Sequence, residues 1–598
     1  MCFVFIVSVK FYPVTIFIMS SSFSSQKSAL KTSAYPNIPD SIWWKEAVVY
    51  QIYPRSFKDS NGDGIGDLQG IISKLDYIES LGVDVIWLNP VYASPNCDNG
   101  YDVSDYQAIM PEFGTMADFE ELLHDLHKRN IKLVMDLVVN HSSDEHQWFK
   151  EARLSRENPY RDYYHWWLAE KGKPPYRESF FDAEGAWKYD GQTDSYYLHY
   201  FSKKQPDLNW ENPDLRQEIF KMMGFWFEKG VDGFRMDVIP YISKDLSFPV
   251  ITQEELTKNY HGAWDDYYAK GPHLHDYLRQ MNIEVLSKYD VMTVGEGAGV
   301  TIDEALDFVG PARKELDMFF HFDGMAIGYL PGKYKQPDPQ GWKLADFKKI
   351  YTDWTNVFKG KGWGSIYLGN HDQPRMLSRW GNDGPEYREA SAKLLHTFLL
   401  SMHATPYIFS GDEIGMSNIK FDNIKDYRDI ETLNWYKELE RDGEDTQKYL
   451  KGWKTSARDN SRTPFQWDLE TNAGFSSGNP WIKINPNFNT VNEASQENDP
   501  NSILNYFRKM IRLRKGNAVL IYGEYEILDE GHPQVYAYTR SLEGQKMLVM
   551  LNFSSKNAEF DMPASIDSKD VLINNYPEFS SDQQKAYLKA YQSLIIKL

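Results

Sequence analysis

The stretch GFRMDVI, residues 233–239, carries two charges in an otherwise apolar run. Arg235 and Asp237 stand two positions apart, and a strand points residues i and i+2 to one face. Buried charges are costly unless paired. Arg235 supplies the pair and is expected to hold Asp237 ionised. A purely structural ion pair is the plain alternative, and this stretch alone does not separate the two. An ionised carboxylate fixed on a rigid strand is what a nucleophile needs. Other apolar runs also end in polar residues: Asn140 and His141 after IKLVMDLVV, Glu296 in VMTVGEG, and Asn370, His371 and Asp372 after SIYLG. Two carboxyl groups flanking an acetal bond make a glycosidase, one attacking as the anion and the other protonating the leaving oxygen. Asp237, beside its arginine, suits the nucleophile. Glu296 lies in a Gly–Ala loop with no cation next to it in sequence, and nearby carboxylates would raise its pKa, which suits the acid. Asp372 would bind sugar hydroxyls more tightly as the transition state forms. His141 and His371, ordinary buried or surface histidines if they stood alone, become hydroxyl donors in this company.

These residues can act together only if the fold brings them to one place. From residue 44 onward, apolar runs of strand length alternate with helical patterns. The runs fall at 47–54, 83–90, 131–140, 233–239, 291–297, 315–322, 365–370 and 405–413. Between them, Leu68, Ile71, Ile72, Leu75, Ile78 and Leu81 recur at helical spacing and are closed by Gly82. Thr115 and Asp118 form a capping box, and 214–229 reads as a helix. Eight strands alternating with helices predict an α/β fold, a parallel (β/α)8 TIM barrel, whose chemistry sits at the C-terminal ends of its strands. The barrel is expected over 41–140 and 209–516. An insertion subdomain follows the third strand at 141–208, and a C-terminal antiparallel β-sandwich domain covers 517–598. Trp166, Trp167, Phe180 and Phe181 could roof the barrel mouth or form the insertion's own small core.

Composition narrows the partners. The 598 residues carry a net charge of −20, which leaves no basic surface for nucleic acid or an anionic membrane. Aromatic residues make up 15 % of the chain, a supply suited to stacking on sugars, although most of them will fill a large core. The two cysteines, Cys2 and Cys97, allow at most one disulfide and no cysteine-built zinc site. The apolar first 18 residues lack the basic n-region of a signal peptide and are broken by Lys10 and Pro13 as a membrane anchor. Translation beginning at Met19 is the preferred reading. Residues 1–40 are then a disordered leader and the protein is cytoplasmic; a signal peptide would instead make it secreted or periplasmic. A monomer acting on a short oligosaccharide, with no membrane partner, is expected.

The motifs DLVVNH (136–141), QPDLNW (205–210), GFRMDVI (233–239), GEG (295–297) and GNHDQPR (369–375) together resemble glycoside hydrolase family 13, the α-amylase clan, from about residue 42 to the C-terminus. The resemblance implies Asp237 as nucleophile, Glu296 as acid/base and Asp372 as transition-state stabiliser. It also implies that Asp98, Tyr101, His141, Arg235 and His371 line a glucose pocket. QPDLNW and RDNSRTPFQWD point to the oligo-1,6-glucosidase and α-glucosidase branch, with Arg462 closing the pocket. Retention of the α configuration through a covalent glucosyl intermediate is the implied course. Val238, after the nucleophile, resembles the α-1,6-preferring members; Ala or Thr there accompanies α-1,4 preference. One methyl group beside the leaving sugar is worth about 1–3 kcal/mol of discrimination.

The loop DSNGDGIGD has the acidic spacing of an EF-hand: Asp59, Asn61, Asp63, the Ile65 carbonyl and Asp67. Gly70 stands where an EF-hand has its last Glu, so a structural calcium or magnesium ion in an isolated loop is expected, against an ordinary Asp/Gly turn. No organic cofactor is implied. The function expected is thus a retaining, exo-acting α-glucosidase that prefers α-1,6 bonds. The alternatives are an α-1,4-glucosidase, a sucrose isomerase, a trehalose-forming transglycosylase, or an inactive relative such as a transporter heavy chain.

Overall fold

The computed structural model describes residues 33–256, 264–331 and 335–598. Eight parallel strands form one sheet: β1 Val49–Ile52, β2 Val85–Leu88, β3 Lys132–Leu137, β4 Gly233–Met236, β5 Met292–Gly297, β6 Met318–His321, β7 Ser365–Ile366 and β8 Thr405–Phe409. Their spatial order is β6-β5-β4-β3-β2-β1-β8-β7, and each falls within an expected apolar run. Every residue of the eight strands is buried, as expected for strands covered by helices outside and packed side chains within. Seven neighbouring pairs are joined by backbone ladders. Among the described residues the remaining junction, β6 to β7, is bridged by side chains: Ser365 Oγ donates to the Phe319 carbonyl at 2.8 Å and the Tyr367 hydroxyl to the His321 carbonyl at 2.9 Å.

The helices follow the sequence patterns. The expected helix after β1 is split into Leu68–Ile72 and Leu75–Leu81 and ends at Gly82, whose φ of 83° is a left-handed C-cap. Met116–Lys128 opens on the Thr115–Asp118 capping box and buries Phe119, Leu122, Leu123 and Leu126. Pro213–Lys229 starts behind the Asn212 cap, stops at Gly230 and delivers the chain to β4.

The insertion leaves β3 and returns to it: His141 bridges Asp207, and the Leu208 N–H donates to the Asn140 carbonyl. Its sheet has the order 166–168, 195–198, 187–190 and is antiparallel. Trp166 stacks on Phe149 and lies under Arg161, so it belongs to the subdomain's own core. Phe180 packs against Phe201 and Tyr241, toward the barrel.

At the C-terminus a five-stranded antiparallel sheet starts at Glu524 and faces a three-stranded one across Val535, Leu548, Met550, Phe560, Leu588 and Ile596. Period-two alternation sends Tyr536, Tyr538, Val549 and Leu551 to the opposite face, into the barrel's core. The leader expectation needs one correction. Residues 1–32 lie outside the described residues, but Ser33–Asp40 is docked. The Ala34 N–H donates to Glu46 at 2.7 Å and the Tyr35 hydroxyl to the Lys515 carbonyl at 2.6 Å. Bonds to Glu46, at the end of the helix Trp43–Glu46, and to Lys515, at the end of the helix Ile503–Lys515, tie it down.

Candidate active site

The strand register sets the site. Met236 lies beside Gly295 and Asp136 beside Arg235, so Asp237 and Glu296 leave adjacent strands at the same height. Arg235 is 1 % exposed and gathers three carboxylates. Its Nη1 donates to Asp136 Oδ1 at 2.9 Å and to Asp237 Oδ1 at 2.6 Å, and its Nη2 lies 2.9 Å from Glu296 Oε2. Glu296, with no cation next to it in sequence, thus meets one in space: one guanidinium holds both carboxylates. Burial pushes Asp237 and Glu296 each up to about 7, and Arg235 opposes the rise in both. Desolvation and mutual repulsion of carboxylates outweigh a cation divided three ways.

Asp372 behaves differently. Burial pushes its pKa up, but His371, Arg458 and Arg462 hold it well below the usual carboxylate range. Its Oδ1 accepts from Arg458 Nη1 at 3.0 Å and Arg462 Nη2 at 2.8 Å. His371 Nε2 is 3.2 Å from Asp372 Oδ2. The Gln51 carboxamide nitrogen lies 2.9 Å from His371 Nδ1; since an amide nitrogen only donates, Nδ1 accepts and Nε2 holds the proton that faces Asp372. Burial keeps His371 neutral, pushing its pKa down to about 3.

The remaining expected pocket residues converge on the same point. Tyr101 stacks on His371, with ring centroids 5.3 Å apart and planes 6° from parallel. Asp98 Oδ2 accepts from Gln205 at 3.1 Å, and Asp98 Oδ1 lies 3.5 Å from Arg458 Nη2. His141 Nε2 donates to the Tyr101 carbonyl at 3.1 Å. Arg462 donates through Nε to the His371 carbonyl at 2.9 Å.

Four further contributors do not stand out in the sequence. Arg458, in the same RDNSR run as Arg462, reaches Asp98 and Asp372 as well as Asp429. Asp429 anchors both arginines. Asp136 is the fixed counter-ion beneath Arg235, and Gln205 of QPDLNW orients Asp98. A second Arg at helical spacing from the first, and an Asp inside an apolar strand run, were the available signals.

The chain matches the family model described as alpha amylase, catalytic domain, over residues 51–523. The chain belongs to the α-amylase family. A second family model, the alpha-amylase SusG C-terminal domain, matches residues 535–595. The chain is 53 % identical over 562 residues to an oligo-1,6-glucosidase of Parageobacillus thermoglucosidasius, covering 93 % of this chain and 99 % of that protein. It is 51 % identical to an oligo-1,6-glucosidase of Bacillus cereus, with the same coverage. It also resembles a solved isomaltulose synthase variant of Erwinia rhapontici in complex with sucrose. That match has a TM-score of 0.89 and 44 % identity, covering 93 % of this chain and 99 % of that one. As an α-amylase-family member the chain is a glycoside hydrolase, and the carboxylate cluster stands where a (β/α)8 barrel builds its sites.

The loop after β1 is held by its own hydrogen bonds. Asp59 Oδ1 accepts the N–H groups of Asn61 and Gly62, and Oδ2 accepts the Gly64 N–H and the Ser476 hydroxyl. Asn61 and Asp63 each accept one N–H. Asp67 caps the following helix through Gly70 and also accepts from Ser60. Among the described residues no three His, Cys, Asp or Glu side chains gather so as to hold a metal ion. Among them, too, no helix is long and apolar enough to cross a membrane. Cys97 is a free thiol, and Cys2 lies outside the described residues.

Proposed function

We propose that the protein is a retaining exo-α-glucosidase that removes terminal glucose from short oligosaccharides and prefers α-1,6 bonds. One observation carries this reading: a single buried guanidinium grips one oxygen of Asp237 and one of Glu296. That closeness suits the about 5–5.5 Å between carboxyl groups of a retaining pair. An inverting pair leaves about 6.5–9.5 Å for a water. Asp237 attacks the anomeric carbon as the carboxylate while Glu296 gives its proton to the leaving oxygen. Glu296 then takes a proton from the water that cleaves the glucosyl ester. Asp372, held ionised by its two arginines, binds sugar hydroxyls in the geometry of the oxocarbenium-like state. Asp98, Tyr101, His141, His371, Arg458 and Arg462 complete a pocket for one glucose. All of these groups come from one chain, which supports a protomer that works alone. The α-1,6 preference is supported by the names of the two relatives and by Val238, which lies next to Asp237 with its N–H on Glu296.

Initial rates on isomaltose, maltose and sucrose, with the anomer of released glucose followed by NMR, test the reading. Isomaltose should be the fastest, and α-glucose should appear first. Initial β-glucose would overturn retention, and maltose as the better substrate would overturn the α-1,6 preference. Likeness to an isomaltulose synthase supplies a second reading, and sucrose converted to an isomer rather than to free glucose and fructose would favour it.

We also propose that the 59–67 loop takes up a calcium or magnesium ion. By donor type, Asp59, Asn61, Asp63, the Ile65 carbonyl and Asp67 fit a hard cation. Asn61 and Asp63 keep free acceptor positions, whereas Asp59 already accepts four donors. Binding there competes with the loop's own hydrogen bonds. The role is structural, and no step of the reaction runs through the ion.

A further inference from the structure

Val238 has φ 34° and ψ 42°. Seventeen non-glycine residues among those described have positive φ, and Val238 is the only β-branched one. Side chains branched at Cβ are strongly disfavoured in this region, so the surroundings must impose the conformation. They do so from both sides. The Asp237 N–H donates to the Leu137 carbonyl at 3.0 Å, which keeps β4 on its ladder up to that residue. Immediately beyond, Ile239–Tyr241 turns as a 3-10 helix containing Pro240, and the Tyr241 N–H closes on the Val238 carbonyl at 2.9 Å. The Val238 side chain is buried with Tyr241, Tyr268 and Ala298.

The consequence lies in the backbone rather than in the side chain. The turned Val238 N–H donates to Glu296 Oε2 at 2.9 Å, the same oxygen that lies 2.9 Å from Arg235 Nη2. Both partners can only donate. A proton on Oε2 would point at two N–H groups, so the acid proton belongs on Oε1, to which no hydrogen bond is made among the described residues. We infer that Val238 is a positioning residue: its strained backbone N–H, together with Arg235, fixes Oε2 as the acceptor oxygen of Glu296 and so presents Oε1 as the atom that protonates the leaving group. This rests on the reading of Glu296 as acid/base. In the first step the Oε1–H bond breaks, the leaving oxygen gains the proton as its bond to the anomeric carbon breaks, and Asp237 forms the ester. The new charge on Glu296 falls on a carboxylate already met by two donors at Oε2. In the second step water gives a proton to Oε1 and its oxygen displaces Asp237.

Glu296 is faced by Arg235 and Asp237 from the end of β4, Asp136 from β3, Asp372 beyond β7, and the Tyr367 hydroxyl. Of the donors to Oε2, only the Val238 N–H can be removed without altering a charge. Replacing Val238 by its α-hydroxy acid puts an ester oxygen where the N–H was and keeps the side chain. An N–H on a carboxylate favours the charged form, so its loss should move the alkaline limb of kcat/KM for isomaltose up by at least about half a pH unit. It should also cut kcat about tenfold. Rates on an α-glucosyl fluoride, whose leaving group needs no proton, should change less. Val238→Gly keeps the N–H but frees the backbone and should shift the limb the same way. Val238→Thr, again β-branched, should leave the limb in place. An unmoved limb in the ester variant overturns the inference. Full isomaltose activity in Glu296→Gln overturns instead the role of Glu296 on which it rests.

Discussion

Asp237 sits at the end of a strand with a full cation beside it, yet the cation does not make it a permanent anion, because burial outweighs it and Asp136 and Glu296 draw on the same guanidinium. The arrangement costs stability. A carboxyl whose pKa is raised on folding, here from the ordinary value to about 7, binds its proton more tightly folded than unfolded. Stability therefore falls as pH rises from about 4 to about 7 and is flat above. Asp237→Asn removes that penalty. The variant should lose roughly 10⁴–10⁶-fold in kcat. Its apparent melting temperature, measured by calorimetry, should match the parent's at pH 4 and exceed it by about 2–3 °C at pH 8. A melting point lower than the parent's at pH 8 would show that Asp237 is a structural ion-pair partner. The sequence revealed Asp237 and Arg235 because two charges persist inside an apolar strand only where pairing or chemistry offsets their burial. It did not reveal the sharing, because Glu296 and Asp136 are far away in the chain and only strand register brings them to the same cation. Arg458 was missed for a related reason: RDNSR offers two arginines, and which of them reaches Asp98 depends on the turn at Arg458–Asn460.

At the scale of the element, β5 shows what a motif can conceal. Glu296 lies between Gly295 and Gly297. A Cβ on Gly297 would stand 2.5 Å from Phe319 Cδ2 and 2.8 Å from the Phe320 carbonyl oxygen; one on Gly295 would stand 2.7 Å from Leu316 Cδ1. The glycines let Leu316 and the residues of β6 close on β5 beside Glu296. Gly295, Glu296 and Gly297 close the strand, and the Gly–Ala loop read from the sequence begins only at Ala298. Gly297→Ala should destabilise the protein by roughly 1–3 kcal/mol and lower kcat on isomaltose, because relief of the clash moves Glu296 off Arg235. Thermal unfolding and rates measured together check this, and a variant equal to the parent in both would show that the strand yields freely. The regular elements were the legible part. Alternating apolar runs, the Thr115 capping box and the Gly82 and Gly230 stops state their structure locally. The insertion was legible mainly as a break in that rhythm, since its aromatic residues serve its own core and the barrel mouth alike.

Over the whole molecule, long loops bind the top of the barrel together. The 59–67 loop is clasped by the segment around 474–481. The Asp59 N–H donates to the Phe475 carbonyl, the Trp481 N–H to the Gly64 carbonyl, and Lys58 Nζ to the Gly474 carbonyl. The same region leads back toward Arg458 and Arg462. An ion in the loop would stiffen this clasp, so EDTA should lower the apparent melting temperature, and calcium should restore it, with little change in kcat at low temperature. A melting point indifferent to both would make the loop a plain turn. The barrel itself is a collar with a clasp of a different kind. Seven of its junctions are sewn by main-chain ladders, and the eighth is pinned by the Ser365 and Tyr367 hydroxyls. A ring fastened in that way gives first at its fastening. Both strands at the fastening border the site: β7 leads into Asn370, His371 and Asp372, and β6 is laddered to β5, which carries Glu296. Slack at this junction should therefore reach Asp372 and Glu296, one on each flank, before it reaches Asp237 on β4.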